Sequence, residues 1–588
     1  MGAAVGGICL LMVFPIFFTM SSHEPSSSAP SAPSRGPSAN WLSPSEDGES
    51  SGGKAKRKRR SRSYKKRAQY RLGTNKNGRF GKQVQSEPHF IPTTPLPKSR
   101  TVPTHTAPQQ MNQPLDFLRQ ESYKGFRENP FLSPKAKPLS TFSIDVDTAS
   151  YSNIRRFLNH HTRVPKNAIR LEEMINYFTY DYPAPKGKHP FSTHVEIAGA
   201  PWNPKHRLVR IGLKGKVFSK KKRPSSNLVF LLDVSGSMYA QNKLPLLIRS
   251  FSLLVRQLGE KDRVSIVVYA GSTGLVLPST SGRNKRKIIY ALKRLRAGGS
   301  TNGGAGIQLA YQQAVRHFIR GGINRVILAT DGDFNVGISS RRRLKAFIKR
   351  KAKSGVFLTV LGVGMGNYKD STLEMLANKG NGNYAYIDNM REAKKVFVQQ
   401  LSGTLLTIAK DVKIQVEFNP HKVKRYRLIG YENRKLRAED FKNDKKDAGE
   451  IGAGHTVTAL YEVIPRKQYK GKGIKLRYQK GSWNPGGKSK ELLTLKLRYK
   501  KPQGHKSKLL VFPIIDKGKR FSRSSKDFQF AASVASFGML LRGSRYRGQT
   551  TFDSIREIAT SSKGRDLHKH RAEFIRLVKK AKKIYRSR

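Results

Sequence analysis

Cysteine is almost missing: Cys9 is the single thiol in 588 residues, which excludes an intramolecular disulfide framework and any cysteine-rich metal site. Stability therefore has to come from packing, with a hard cation as the metal class left open. Acidic residues are scarce as well. Only 39 Asp and Glu stand against 113 Lys and Arg, a formal charge of +74 that attracts anionic surfaces of any kind. Several motifs are also absent. The 14 histidines include no HExxH, no Ser-His-Asp set can be assigned, and the glycines of "GVGMGNYKD" lack G-x-G-x-x-G spacing and an acidic ribose partner. "DFKNDKKDAGE" scatters its carboxylates without calcium-loop order and reads as surface. No RNA-binding aromatic motif or zinc-finger spacing accompanies the basic residues, so nucleic acid is the less favoured polyanion.

What is there begins with an uncharged stretch, Gly2 to Met20, long enough for a signal peptide or a marginal membrane anchor over residues 1–22. Export is the favoured reading, although a positive n-region is missing and the cleavage site around Thr19 and Ser21 is weak. Residues 23–130 form a Ser/Pro-rich and basic linker expected to be disordered. Within it Lys54 to Arg71 carries eleven basic residues and no acid. Such a block suits an anionic polymer or a membrane surface, or it is simply a solvated linker.

Order is expected from about Phe131. A helical flanking region over 131–188 contains "STFSIDVDTASYSNIRRFL", in which one of the two aspartates or Thr148 is expected to cap a helix. A competing reading takes Asp145 and Asp147 as a hydrolase pair, nucleophile and acid, but the partner lysine and carboxylates that it needs cannot be assigned. Period-two alternation at Val195 and Ile197, and at Val209, Ile211 and Leu213, predicts strands of a β-sandwich over 189–217. The sandwich resumes over 410–515 with Val412, Ile414, Val416 and Phe418, with Ile474, Leu476 and Tyr478, and with Leu493, Leu495, Leu497 and Tyr499. A helical region over 520–588 follows, its stripe of Phe574, Leu577, Val578, Ala581 and Ile584 read as core. The basic helix "RRRLKAFIKRKAK" is read the same way.

Between the two sandwich segments, residues 225–409 alternate buried strand runs with helix-period segments. Examples are "NLVFLLD", "VSIVVYA", "RVILATDG" and "GVFLTVLGVG", with Ile307, Ala310, Ala314 and Phe318 predicted on one helix face. That pattern is α/β: a doubly wound parallel sheet inserted into the β-sandwich, with flanking helices. Ligands of such sheets gather at the carboxyl edge, and three loops there are rich in oxygen. "DVSGSM" sets Asp233, Ser235 and Ser237 at i, i+2 and i+4, "AGGSTNGG" brings Thr301, and "ATDGDFNVG" brings Asp331 followed by a turn-relaxing Gly332. Two carboxylates and three hydroxyls suit Mg²⁺ or Mn²⁺, not zinc.

These five residues carry a resemblance to the von Willebrand factor type A (VWA) domain family. They fall one by one on its metal-ion-dependent adhesion site. "STFSIDVDTASYSNIRRFL", "AGEIGAGHTVTALYEV" and "FAASVASFGMLLRGS" are similar to the flanks of bacterial envelope VWA proteins, from about Ser140 to Ile584. The resemblance implies hydroxyls that ligate the cation directly, aspartates that act partly through water, and a coordination position completed by a partner's Glu or Asp. The expected function is thus cation-dependent protein binding at the cell envelope, not catalysis. The alternative is a scaffold or anchor that holds polyanions through its basic tail and surface. Such relatives are usually far less basic and carry a clearer lipoprotein signal.

Overall fold

The computed structural model describes residues 121–586 apart from 220–222, 271–272, 300–302, 333–340, 366–368 and 467–488. The apolar N-terminal stretch, the basic linker up to residue 120, Thr301 and the strand expected around Ile474 lie outside the described residues.

The strands, in chain order, are β1 (Leu139–Ser143), β2 (Phe191–Ala200), β3 (Asn203–Gly215), β4 (Ser226–Asp233), β5 (Arg263–Tyr269), β6 (Thr273–Ser281), β7 (Ile323–Thr330), β8 (Phe357–Val363) and β9 (Tyr384–Ile387). They continue with β10 (Thr407–Phe418), β11 (Val423–Ile429), β12 (Lys435–Leu436), β13 (Gly449–Gly452), β14 (Thr456–Pro465), β15 (Leu493–Lys500) and β16 (Lys508–Ile514). Strands β4 to β9 form one sheet in the order β6-β5-β4-β7-β8-β9, parallel except where β5 meets β6.

All eight residues of β4 are buried, because both faces of this sheet are covered. Leu228, Phe230 and Leu232 pack on Leu247, Phe251 and Leu254 of helix Leu244–Gln257. Val229 and Leu231 turn the other way, onto Ile307, Ala310 and Ala314 of helix Gly303–Arg316 and onto Leu344 and Ile348 of helix Arg341–Lys353. The basic helix is therefore held by its apolar stripe. Phe318 departs from the predicted helix face: the helix ends at Arg316, and the ring is 38% exposed.

The sandwich surrounds this domain in sequence. One sheet runs β12-β1-β10-β15-β16, with β13 on β10, and the other runs β11-β14-β3-β2. Phe142, Ile414, Val416, Val209, Ile211 and Tyr461 fill the space between them. Chain exit and return lie side by side, since a Cβ on Gly215 would stand 3.0 Å from the Ile408 side chain. Insertion thus closes without a long linker. Two expectations need correcting. The segment before Asp145 contributes β1 to the sandwich, where it pairs with β10, and is not purely helical. Strand β3 is buried on both faces over Leu208–Leu213 instead of alternating, because the outer face of its sheet is covered by helices. Chief among them is helix Lys526–Arg542, buried almost all round, as expected of a helix that is apolar on every side. The stripe Phe574, Leu577, Val578 and Ala581 joins that same core, with Ile584 partly buried beside it.

Candidate metal centre

The parallel register delivers the site. Asp233, last residue of β4, stands opposite Tyr269, last of β5, while Leu232 stands opposite Ala329, which sets Thr330 and Asp331 alongside at the end of β7. The Asp233 carboxylate is fully buried and its oxygens are already used. Oδ1 accepts the Ser235 backbone N–H at 3.0 Å, and Oδ2 accepts the Thr330 hydroxyl at 3.0 Å and the Tyr269 hydroxyl at 3.2 Å. Burial raises its pKa, the nearby Asp331 charge adds to the rise, and the donated hydrogen bonds oppose it.

The two serines turn toward each other, Ser235 Oγ to Ser237 Oγ at 3.2 Å, with Ser235 buried and Ser237 exposed. Two hydroxyl oxygens this close are hard ligands of the kind that a Mg²⁺-class cation takes. Asp331, 2% exposed, binds the Lys243 ammonium at 2.8 Å through Oδ2. Gly332 takes φ +112°, the left-handed turn expected of glycine there. Gly298 and Gly299, next to the loop of Thr301, are hydrogen-bonded to Val234 O at 2.8 Å and to Gly236 N–H at 3.0 Å. The loop before Thr301 therefore lies against "DVSGSM". Hydroxyl and carboxylate oxygens, with a cation already drawn to the acid, fit a divalent metal in their chemistry.

Three contributors were not read from the sequence. Tyr269 and Thr330 end strands that flank β4, and the carboxyl-edge rule points to both. Lys243 carries no such signal: it precedes helix Leu244–Gln257, whose early Pro245 favours that start, and its stem lies where a Cβ on Gly364 would stand.

Asp145 and Asp147 form a different cluster. With Glu374 they offer oxygens within 4.8 Å of one another, all buried. A cation already fills that cluster. Arg434 Nε binds Asp145 and Nη2 binds Asp147, both at 2.9 Å, and Nη2 reaches Glu374 at 3.1 Å. Burial raises Asp147, the neighbouring Asp145 charge adds to this, and Arg434 opposes it. The remaining oxygens accept backbone N–H groups, Asp145 from Asp147 at 2.9 Å and Asp147 from Tyr384 at 2.8 Å. These are structural carboxylates, and the hydrolase reading loses its nucleophile. Neither aspartate nor Thr148 caps the helix: Thr148 makes no capping bond, and the Ser150 N–H is taken by Glu173 at 2.8 Å. "DFKNDKKDAGE" is likewise only partly surface, because its last acid, Glu450, is buried in β13 with its pKa driven up by burial and by Asp411.

Buried arginines join the parts of the chain. Arg155, on helix Ala149–Asn159, binds Asp388 and Glu392 of the α/β domain and Glu573 of the C-terminal helix. Arg170 binds Glu173, Asp370 and Glu374. Among the described residues the buried acids and bases are close to balanced in number, so the excess positive charge lies elsewhere on the chain.

Comparison with known proteins agrees with this architecture. The von Willebrand factor type A domain family matches residues 227–400, a von Willebrand factor family matches 118–210, and the C-terminal region of the uncharacterised protein YfbK matches 403–584. YfbK of Escherichia coli (strain K12) is 47% identical over 468 residues, 78% of this chain and 80% of the relative. The uncharacterised protein sll0103 of Synechocystis is 32% identical over 218 residues, 36% of this chain and 50% of that protein. Among solved structures, a von Willebrand factor type A protein from Catenulispora acidiphila is 14% identical, covering 65% of this chain and 89% of that one with a TM-score of 0.38.

Proposed function

The chain belongs to the family of VWA proteins with a YfbK-like C-terminal region, and from that premise we propose that it binds a protein partner at the cell envelope through a divalent cation. VWA domains are protein-interaction modules, generally without catalytic activity. In this reading Ser235, Ser237 and Thr301 ligate Mg²⁺ or Mn²⁺ directly, Asp331 supplies charge, and Asp233 orients the serine loop through the hydrogen bonds described above. A bound cation supplies Lewis acidity that a partner's Glu or Asp satisfies. The observation that supports the reading is that Ser235, Ser237 and Asp331 follow the carboxyl ends of adjacent strands of one sheet, with Ser237 exposed.

Among the described residues no helix is long and apolar enough to cross a membrane. The envelope location rests on the apolar stretch Gly2 to Met20, which is read as a signal peptide or anchor. The test is capture of envelope proteins by the full chain. Cation-dependent binding predicts loss with EDTA and rescue by Mg²⁺. The alternative, a polyanion scaffold favoured by the near-neutral interior and the +74 total, predicts a steep loss with added salt and indifference to EDTA.

A further inference from the structure

We infer that the chain holds a second ligand site, for a small oxyanion bearing phosphate or carboxylate groups, in the cavity lined by Lys395, His455 and His570. The cavity measures about 990 Å³ and is bounded by the α/β domain, the sandwich and the C-terminal helices. Lys395 is 2% exposed, and its ammonium is held only by a long ion pair. Its nearest acid is Glu392 Oε1 at 3.5 Å, and it rests 3.2 Å from the centroid of the Tyr177 ring. His455 Nδ1 and His570 Nδ1 are buried without partners. His570 Nε2 lies 3.0 Å from Gln399 Oε1, an acceptor, which assigns the proton to Nε2 and leaves Nδ1 bare. Native interiors keep few such orphans without a reason, and the two rings share one cavity lining with Lys395.

The lining carries charge of both signs with an excess of cations, and it includes Lys526 and Arg565 as well as Asp566. Arg210 and Arg571, also in the lining, are neutralised by Glu196 and Asp527, and Lys214 donates to the Gly454 carbonyl at 2.9 Å with the Asp181 charge nearby. Burial holds Lys395 down to about 8, with Arg155 pushing the same way and Glu392 and Glu573 opposing. His455 is lowered to about 4 by burial, then by Lys214, Lys395 and Arg325. His570 is lowered to about 4 by burial, then by Lys395 and His568, against Glu392 and Glu573. An oxyanion would offer the Lys395 ammonium closer acceptors than Glu392, and its charge would favour the protonated rings, whose Nδ1 can donate only once it carries a proton.

The local backbone is built around these groups. Lys395 opens a π-helical turn, Lys395–Gln399, a rare geometry that recurs at functional sites. Gly403 leaves the space that the His455 ring occupies, since a Cβ there would overlap the ring.

The test is calorimetric titration of inorganic phosphate, and separately of citrate, into the full chain and its Lys395→Met and His455→Gln variants. The expected result is one saturable site that each substitution weakens by about tenfold, the loss of one charge-assisted hydrogen bond. Whichever probe binds more tightly tells a phosphate from a carboxylate ligand. Affinity should also fall as pH rises past about 8, where Lys395 releases its proton, and Lys395→Met should abolish that dependence. Thermal melts establish that each variant folds. If Lys395→Met does not, His455→Gln decides. No saturable binding, or binding equal in wild type and folded variants, would mean that anions merely adhere to the basic exterior, and would overturn the proposal.

Discussion

Replacing Lys243 by Met should lower the stability of the metal-free protein and tighten its hold on Mg²⁺. Its ammonium lies 2.8 Å from Asp331 Oδ2, with the two side chains 12% and 1% exposed. At an effective dielectric of 20 that separation is worth ~6 kcal/mol of raw attraction, most of it offset by desolvation. Removing one partner of a well-buried pair costs ~3–5 kcal/mol, and a pair at a sheet edge open to water should cost less, ~1–3 kcal/mol. A divalent ion that uses Asp331 has to displace the ammonium. The variant should therefore regain that free energy on binding, an affinity gain on the order of 10- to 100-fold at 1.4 kcal/mol per decade. Calorimetry gives the affinity. Melting with and without Mg²⁺ gives the linked stability, with a larger metal-induced rise in Tm for the variant. Equal affinity in the two proteins, or a metal-free variant that melts like wild type, would refute the competition between ammonium and metal.

Other parts of the structure make separate predictions. Arg434→Met leaves Asp145, Asp147 and Glu374 without their cation and should cost ~3–5 kcal/mol, more at alkaline than at acidic pH because protonation relieves the repulsion; a loss under ~1 kcal/mol by thermal melting would contradict it. Burial, then neighbouring acids, raises Glu172 to about 8, and burial raises Glu173 to about 7 against the pull of Arg170. The folded state thus keeps protons that the unfolded chain releases near 4.5, so this contribution is full at low pH and is lost as pH rises through about 7 to 8. Glu172→Gln should flatten the decline of Tm over that range, and an unchanged slope would count against it. Asp145→Asn should leave no phosphatase turnover to lose; measurable wild-type turnover abolished by it would restore the hydrolase reading.

The fold class was legible because its signals are local. Strand β4 is apolar at Leu228–Leu232 because each residue meets a helix on one face or the other, and that run is visible without neighbours. The alternation of Val412, Ile414 and Val416 is visible because the intervening Lys413 and Gln415, though also buried, are polar and are held by hydrogen bonds to the carbonyls of Asp440 and Asn443 and to the Thr141 hydroxyl. The Asp-x-Ser-x-Ser turn was legible as a spacing. What escaped depends on partners far away in the chain. Arg434 meets Asp147 across 287 residues, and only that contact turns a plausible catalytic pair into a structural one. Strand β1 is recognisable only through its pairing with β10. Lys395, His455 and His570 come from three different parts of the chain, and no spacing links them.

Titration of Mg²⁺ into the full chain, with Asp233→Ala as control, tests the central claim most directly. Asp233 orients the serine loop through its buried carboxylate, so the account predicts one-site binding in the wild type and none in a variant that still folds. Equal Mg²⁺ binding in the two proteins would contradict it.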